Sequence, residues 1–172
     1  MAAFSTDDQL NGDLAFRLVQ DGPLTLFHDP SVLAGTLDEL RGTGYRVVTV
    51  EAGSCATVTD LLDRFARAFD FPDYFGRNMN AFHDCMRDVA DGYTGSATGL
   101  VITLGRYDDF LLRHGPVGGL FLDMIADVCR LGALFGHRMM CFVQSDDPSS
   151  EIPPVGFTAL GWNHLEQRRR SM

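Results

Sequence analysis

The sequence contains no lysine: all of its 14 basic residues are arginine, set against 23 Asp and Glu, for a formal net charge of −9. An acid excess of this size repels the phosphate backbone and so argues against a nucleic-acid partner. It favours basic proteins, whose encounter it accelerates. Charge alone is better explained by plain solubility. Three of the arginines form the run Arg168-Arg169-Arg170, which reads as a solvated tail, and the body before it is more acidic still.

Other shortages narrow the class further. No apolar run approaches the ~18 residues that span a bilayer, so no membrane contact is expected. The start, Met1 to Asp8, is acidic where a secretory signal would be basic and then apolar, and a cytoplasmic location is expected. The 4 cysteines, Cys55, Cys85, Cys129 and Cys141, form no C-x-x-C pair and have no His at metal spacing. They read as reduced structural thiols, and no metal is expected.

No G-x-S-x-G elbow, P-loop or dinucleotide fingerprint is present, so neither catalysis nor a cofactor is expected. The Gly53-Ser54-Cys55 turn follows a strand, the usual place for active sites in open α/β sheets. However, His83 and Cys85, two apart on a helix, point away from each other and cannot pair as base and nucleophile. His28, His114, His137 and His164 show no ligand spacing.

What is present is an alternation of helix and strand patterns. After a polar start, Leu14 to Val19 alternates weakly, and Asp21-Gly22 before Leu24 to His28 is a hairpin signal. Asp29-Pro30 opens a helix carrying Leu33, Thr36, Leu37 and Leu40, which Gly42 and Gly44 end. Tyr45 to Val50 reads as a strand. Thr57, with Asp60 three residues on, opens a helix faced by Val58, Leu61, Leu62, Phe65 and Phe69, which Pro72 stops. A third helix is expected over about Gly76 to Ala90, then a strand at Leu100 to Leu104. A short helix near Tyr107 to Arg113, a long one from about Val117 to Phe135 and a strand at Met139 to Val143 complete the pattern.

Strands separated by helices imply parallel pairing, hence an α/β sandwich of two or three layers with three to four strands, Leu24 to His28 lying at an edge. At 172 residues the chain fits one domain. The expected division is an N-terminal extension over 1–22 with room for a hairpin strand, a body over 23–144 that includes an added βα unit over 23–44, and a tail over 145–172. In that tail Phe157, Leu160 and Trp162 can dock back on the body.

The most informative stretch runs from Pro72 through Asp73-Tyr74-Phe75-Gly76-Arg77-Asn78 to Asp84-Cys85-Met86. At ~100° per residue, with Phe82 as zero, Asn78, Met79, Cys85, Met86 and Val89 fall within about 60° of it and are expected to face a core. Arg77, Asn80, Asp84, Arg87 and Asp91 cluster on the far side, with Asp88 on one flank and His83 on the other. Most amphipathic helices have such a solvated face, so periodicity alone does not make it a site.

The order of residues in front of that helix resembles the barstar family: an apolar residue and Pro, an acid, two aromatics, Gly, a variable residue, Asn, and an amphipathic turn closing in Asp-Cys. Here these are Phe71-Pro72-Asp73-Tyr74-Phe75-Gly76-Arg77-Asn78 and Asp84-Cys85. The flanking strands and helices agree over about 100 residues. The resemblance implies a barstar-like sandwich and a protein that blocks a ribonuclease with this helix and the preceding loop. Asp84 takes the position of the helix carboxylate that stands in for the substrate phosphate, while Tyr74, Phe75 and Gly76 give flat contacts beside it. Electrostatic steering of the partner also comes with the resemblance.

This chain departs from the family pattern where Asn80 replaces a second Asp and His83 replaces a Trp. The acid of the long helix maps near Leu131, beside Arg130, with no equivalent here; Asp88 and Asp91 can supply charge in its place. The implied partner is a basic extracellular-type ribonuclease or related toxin, met by a monomer at one to one through Tyr74, Phe75, Gly76, Asn78, Asn80, His83, Asp84, Arg87, Asp88 and Asp91. The alternative is a non-catalytic module of the same fold with a different protein target, such as another toxin.

Overall fold

The computed structural model describes residues 2–92, 96–156 and 160–166. The N-terminal segment is more regular than its sequence suggests. Ser5 and Asp8 close a capping box around α1 (Thr6–Leu10), and Asp13 caps α2 (Leu14–Val19) by accepting from Phe16 N at 2.8 Å. Leu14–Val19 is therefore a helix and not the first arm of a hairpin. Six residues of mixed pattern suit either structure, and the side-chain cap at Asp13, together with burial of Ala15 and Leu18, selects the helix.

Strand β1 (Leu24–Phe27) follows, then α3 (Pro30–Gly42), whose first amides bond the Asp29 carboxylate ahead of a proline that needs no donor. Next come β2 (Tyr45–Glu51), α4 (Val58–Ala68), α5 (Met79–Gly92), β3 (Gly99–Gly105), α6 (Tyr107–His114), α7 (Pro116–Leu134) and β4 (Met139–Gln144). A two-residue strand, β5 (Gly161–Trp162), is the last.

All pairings in the sheet are parallel, in the order β2-β3-β4-β1-β5. Strand β1 thus lies between β4 and β5, not at the edge. Leu24 pairs with Cys141 on one side, and Thr25 and Leu26 pair with Gly161 and Trp162 on the other. Strands β1 and β5, far apart in sequence, thus pair with each other.

The sheet is covered on both faces, giving three layers. One face packs α2 and α3 through Leu18, Leu33, Leu37 and Leu40 on Phe27, Val101, Met140 and Phe142. The opposite face carries α4, α5, α6 and α7 on Val50, Leu100, Ile102, Leu104 and Cys141. There the rings of Phe65, Phe82, Phe110 and Phe121 meet, with Phe82 at 4.9 Å from both Phe65 and Phe121. Such ring pairs add about 0.5–1.5 kcal/mol each to the gain from burial. This cluster fixes the rotation of α5 about its axis, and so decides which of its side chains reach solvent.

Candidate functional site

The loop between α4 and α5 is set before the helix begins. Phe75 N donates to Pro72 O at 2.8 Å, and the Phe75 ring packs edge-on against Phe71 at 5.0 Å. Phe75 is accordingly half-buried on the core, while its neighbour Tyr74 is 85% exposed. Of the two expected aromatic contacts, only Tyr74 stands free.

Asn78 is not the first inward residue of the helix. It is exposed and caps α5, accepting from Ala81 N at 3.0 Å through Oδ1, while its backbone carbonyl accepts from Phe82 N at 2.9 Å. An N-cap has extended backbone and lies off the helical phase, so a wheel extended back through it misplaces it. Its Nδ2 also donates to Gly76 O at 3.3 Å, and a Cβ on Gly76 would come within 2.9 Å of that nitrogen. A side chain at position 76 would therefore push the Asn78 amide aside. Arg77, between them, takes a left-handed φ of 49° and reaches back to Asp63 of α4, Nε to Oδ1 at 2.8 Å.

Within α5, Phe82 and Met86 are fully buried, Cys85 is 9% exposed, and Met79 and Val89 are half-buried. Asn80, Asp84, Arg87 and Asp91 are exposed along the opposite side, three or four residues apart, as one ridge. Among the described residues, none of these four side chains takes part in an ion pair or a side-chain hydrogen bond. The Asp88 and Asp84 carboxylates add to burial in pushing the Cys85 thiol up from its ordinary value.

The two flanks differ. His83 faces α7 and bonds Asp127, Nε2 to Oδ2 at 2.9 Å. Asp88 faces the other way, toward Arg46 of β2 and Asp70 behind α4. Sequence reading did not single out Asp127, although Asp123 and Asp127 at i, i+4 are the two acids of a helix whose one other charged residue is Arg130. Leu131 is half-buried on the core and Arg130 is exposed. The acid of α7 nearest the ridge is therefore Asp127, one turn earlier. Tyr93, Thr94 and Gly95 of the following loop, Phe157 and the Arg168–Arg170 run lie outside the described residues.

The turn after β2 buries its thiol. Cys55 is fully buried, its thiol lies 3.6 Å from Glu51 O, and burial pushes it up from its ordinary value. Arg113 Nη1 donates to the carbonyls of Gly53 at 2.7 Å and Cys55 at 3.3 Å, which ties the turn to α6. Among the described residues, no group of three His, Cys, Asp or Glu is placed to hold a metal ion. Among them also, no helix is long and apolar enough to cross a membrane.

A family model described as Barstar (barnase inhibitor) matches residues 45–144, from the start of β2 to the end of β4. Comparison with curated proteins gives no match. Among solved structures, the chain is similar to the Aeropyrum pernix ORC2 protein in its ADP form, at 12% identity and a TM-score of 0.52, covering 86% of this chain and 43% of that one. The same protein in its ADPNP–ADP complexes gives 12% identity and a TM-score of 0.50, covering 84% of this chain and 42% of that one. At such identity the similarity is one of fold, and the chain spans less than half the length of those structures.

Proposed function

Because this chain belongs to the barstar family, whose matched segment includes the whole of α5, we propose that it binds a basic ribonuclease one to one and closes its active site with the outer ridge of that helix. The observation that carries this reading is Asp84. It is exposed and without a partner among the described residues, on a helix whose rotation is fixed by Phe82 and Met86 in the core.

A carboxylate held in this way costs little further ordering on binding. It can accept paired hydrogen bonds from an arginine that would otherwise hold a phosphate oxygen. Tyr74, carried on a loop anchored by Phe75 and by the Arg77–Asp63 pair, adds an aromatic contact beside it. The net charge of −9 draws a basic partner in from a distance, and that attraction is screened beyond ~10 Å at 0.1 M salt.

The test is a titration of RNA cleavage by barnase, the enzyme that the family description names, with wild type and Asp84→Ala. Wild type is expected to inhibit at one to one, with association slowing as salt rises. Asp84→Ala is expected to lose about 2–5 kcal/mol, because it leaves basic groups of the enzyme buried and unpaired. Inhibition that survives Asp84→Ala unchanged overturns the site.

A second reading is favoured by the ridge itself. Asn80 carries no charge, and His83 is engaged with Asp127. A partner other than a barnase-type ribonuclease, for instance another toxin, fits those two positions. Absence of inhibition of any basic ribonuclease would select it.

A further inference from the structure

On the flank of α5 opposite His83 lies a hollow of about 300 Å³. Its floor is Phe69, Phe71, Cys85 and Val89, and its rim carries Asp70, Asp88 and Arg46. That volume equals about ten waters at liquid density, enough for one long side chain. Among the described residues, neither Asp70 nor Asp88 has an ion-pair or hydrogen-bonding partner. Arg46, the only cation of the lining among the described residues, has its Nη2 3.5 Å from the Ala68 carbonyl. Two carboxylates against one guanidinium leave the rim negative over an apolar floor. A solvated face gains nothing from this combination, whereas a long cationic side chain can use both parts of it.

We propose that this hollow receives an arginine side chain of the bound partner, its alkyl stem on Phe69, Phe71 and Val89 and its guanidinium at Asp70 and Asp88. The proposal rests on the reading above only in that the partner is basic. Arginine fits better than lysine because its flat guanidinium stacks on aromatic faces and presents a fork to carboxylates. Asp88 follows Asp84 by one helical turn on the same element, so a protein seated on Asp84 lies beside the hollow.

The test has two arms, both on the full chain. In the first, amide spectra are recorded while N-acetyl-arginine methylamide is added, with N-acetyl-norleucine methylamide as the apolar control. The arginine probe is expected to shift the amides of residues 69–71 and 85–92 saturably, and the norleucine probe at least threefold less. In the double variant Asp70→Asn, Asp88→Asn the arginine shifts are expected to fall at least threefold. Asn accepts the left-handed φ of 51° at position 70, so the variant keeps the backbone.

In the second arm, the same variant is expected to weaken inhibition of barnase about tenfold while Asp84→Ala removes it. Saturable arginine binding at the hollow without inhibition by wild type would sink the ribonuclease reading and leave the hollow standing. Inhibition sensitive to Asp84→Ala but untouched by the double variant, with no arginine-specific shifts, would overturn the hollow alone. Equal shifts with norleucine would overturn it as well.

Discussion

His83 on α5 and Asp127 on α7 are joined at 2.9 Å, and this contact makes the outer surface of α5 continuous with that of α7. Asp127 is 60% exposed in its side chain, so the pair contributes little to stability; its effect is to hold the His83 ring in one orientation beside the ridge. A double-mutant cycle with His83→Gln and Asp127→Asn, read by urea unfolding, is expected to give a coupling of about 0.2–1 kcal/mol. That coupling should shrink in 1 M salt, where the screening length is ~3 Å. A coupling unaffected by salt would mean that the two residues interact through packing and not through charge.

Asn80 tests how closely the partner matches barnase. Against that enzyme, Asn80→Asp is expected to tighten inhibition by about 1.5–3 kcal/mol if the new carboxylate meets a cation. Against a partner already matched to the neutral side chain, the same change weakens binding, since a charge is then buried without a partner. The inhibition constants of both proteins against one enzyme decide between these outcomes.

Phe82 carries the orientation of the whole ridge. Phe82→Ala removes a fully buried ring at the centre of the phenylalanine cluster and is expected to cost about 3–5 kcal/mol in chemical unfolding. Where the variant still folds, its inhibition should fall as well, although Phe82 touches no partner. A loss below about 1 kcal/mol would show that the cluster does not hold the helix.

The cysteines should be silent in the native protein. Burial pushes Cys129 up to about 12 and Cys141 well above its ordinary value, and Cys55 and Cys85 are also raised. Since the thiolate is the reactive form, a thiol reagent at pH 8 is expected to label no site quickly before unfolding and all 4 after it. Rapid labelling of Cys55 alone would return attention to the turn after β2 as a reactive centre.

Acid should weaken the fold partly through α4. Backbone and then side-chain hydrogen bonds from Thr57 hold the Asp60 carboxyl below its ordinary 3.8, so this contribution is complete above that value and is lost as pH falls through the lower folded value. Asp60→Asn has no such proton to take up. Its urea midpoint should therefore change less than that of wild type between pH 5 and about pH 2. Parallel curves would remove the Thr57–Asp60 box from the account of acid unfolding.

Much of this was legible locally. Thr57 with Asp60 marked the start of α4, and the spacing of Phe82, Met86 and Val89 gave the inward side of α5, because caps and helical periods are properties of neighbouring residues. Asn78 was misread for the same local reason: the wheel was continued through a residue that caps the helix and so stands outside its period. The contact of His83 with Asp127 and the hollow beneath Asp70 and Asp88 join elements far apart in sequence, and only the packing of α5 on α7 and α4 creates them. Leu14–Val19 was too short for its pattern to separate helix from strand.

The position of β1 bears on how the chain is made. Leu24 pairs with Cys141, and Leu26 pairs with Trp162, so β1 is synthesised well before either of its neighbours in the sheet. Glu166 completes the closure: fully buried, it accepts from His28 N at 2.9 Å, His28 Nδ1 at 2.6 Å and Asp29 N at 2.9 Å, at the N-terminus of α3. Such non-local pairing must meet the entropy of closing a long loop before any contact compensates it. Strand β1 therefore has no strand beside it until β4 is made. The interval is set by translation at roughly 5–20 residues per second, so during those seconds the nascent chain offers its first strand to whatever else is near.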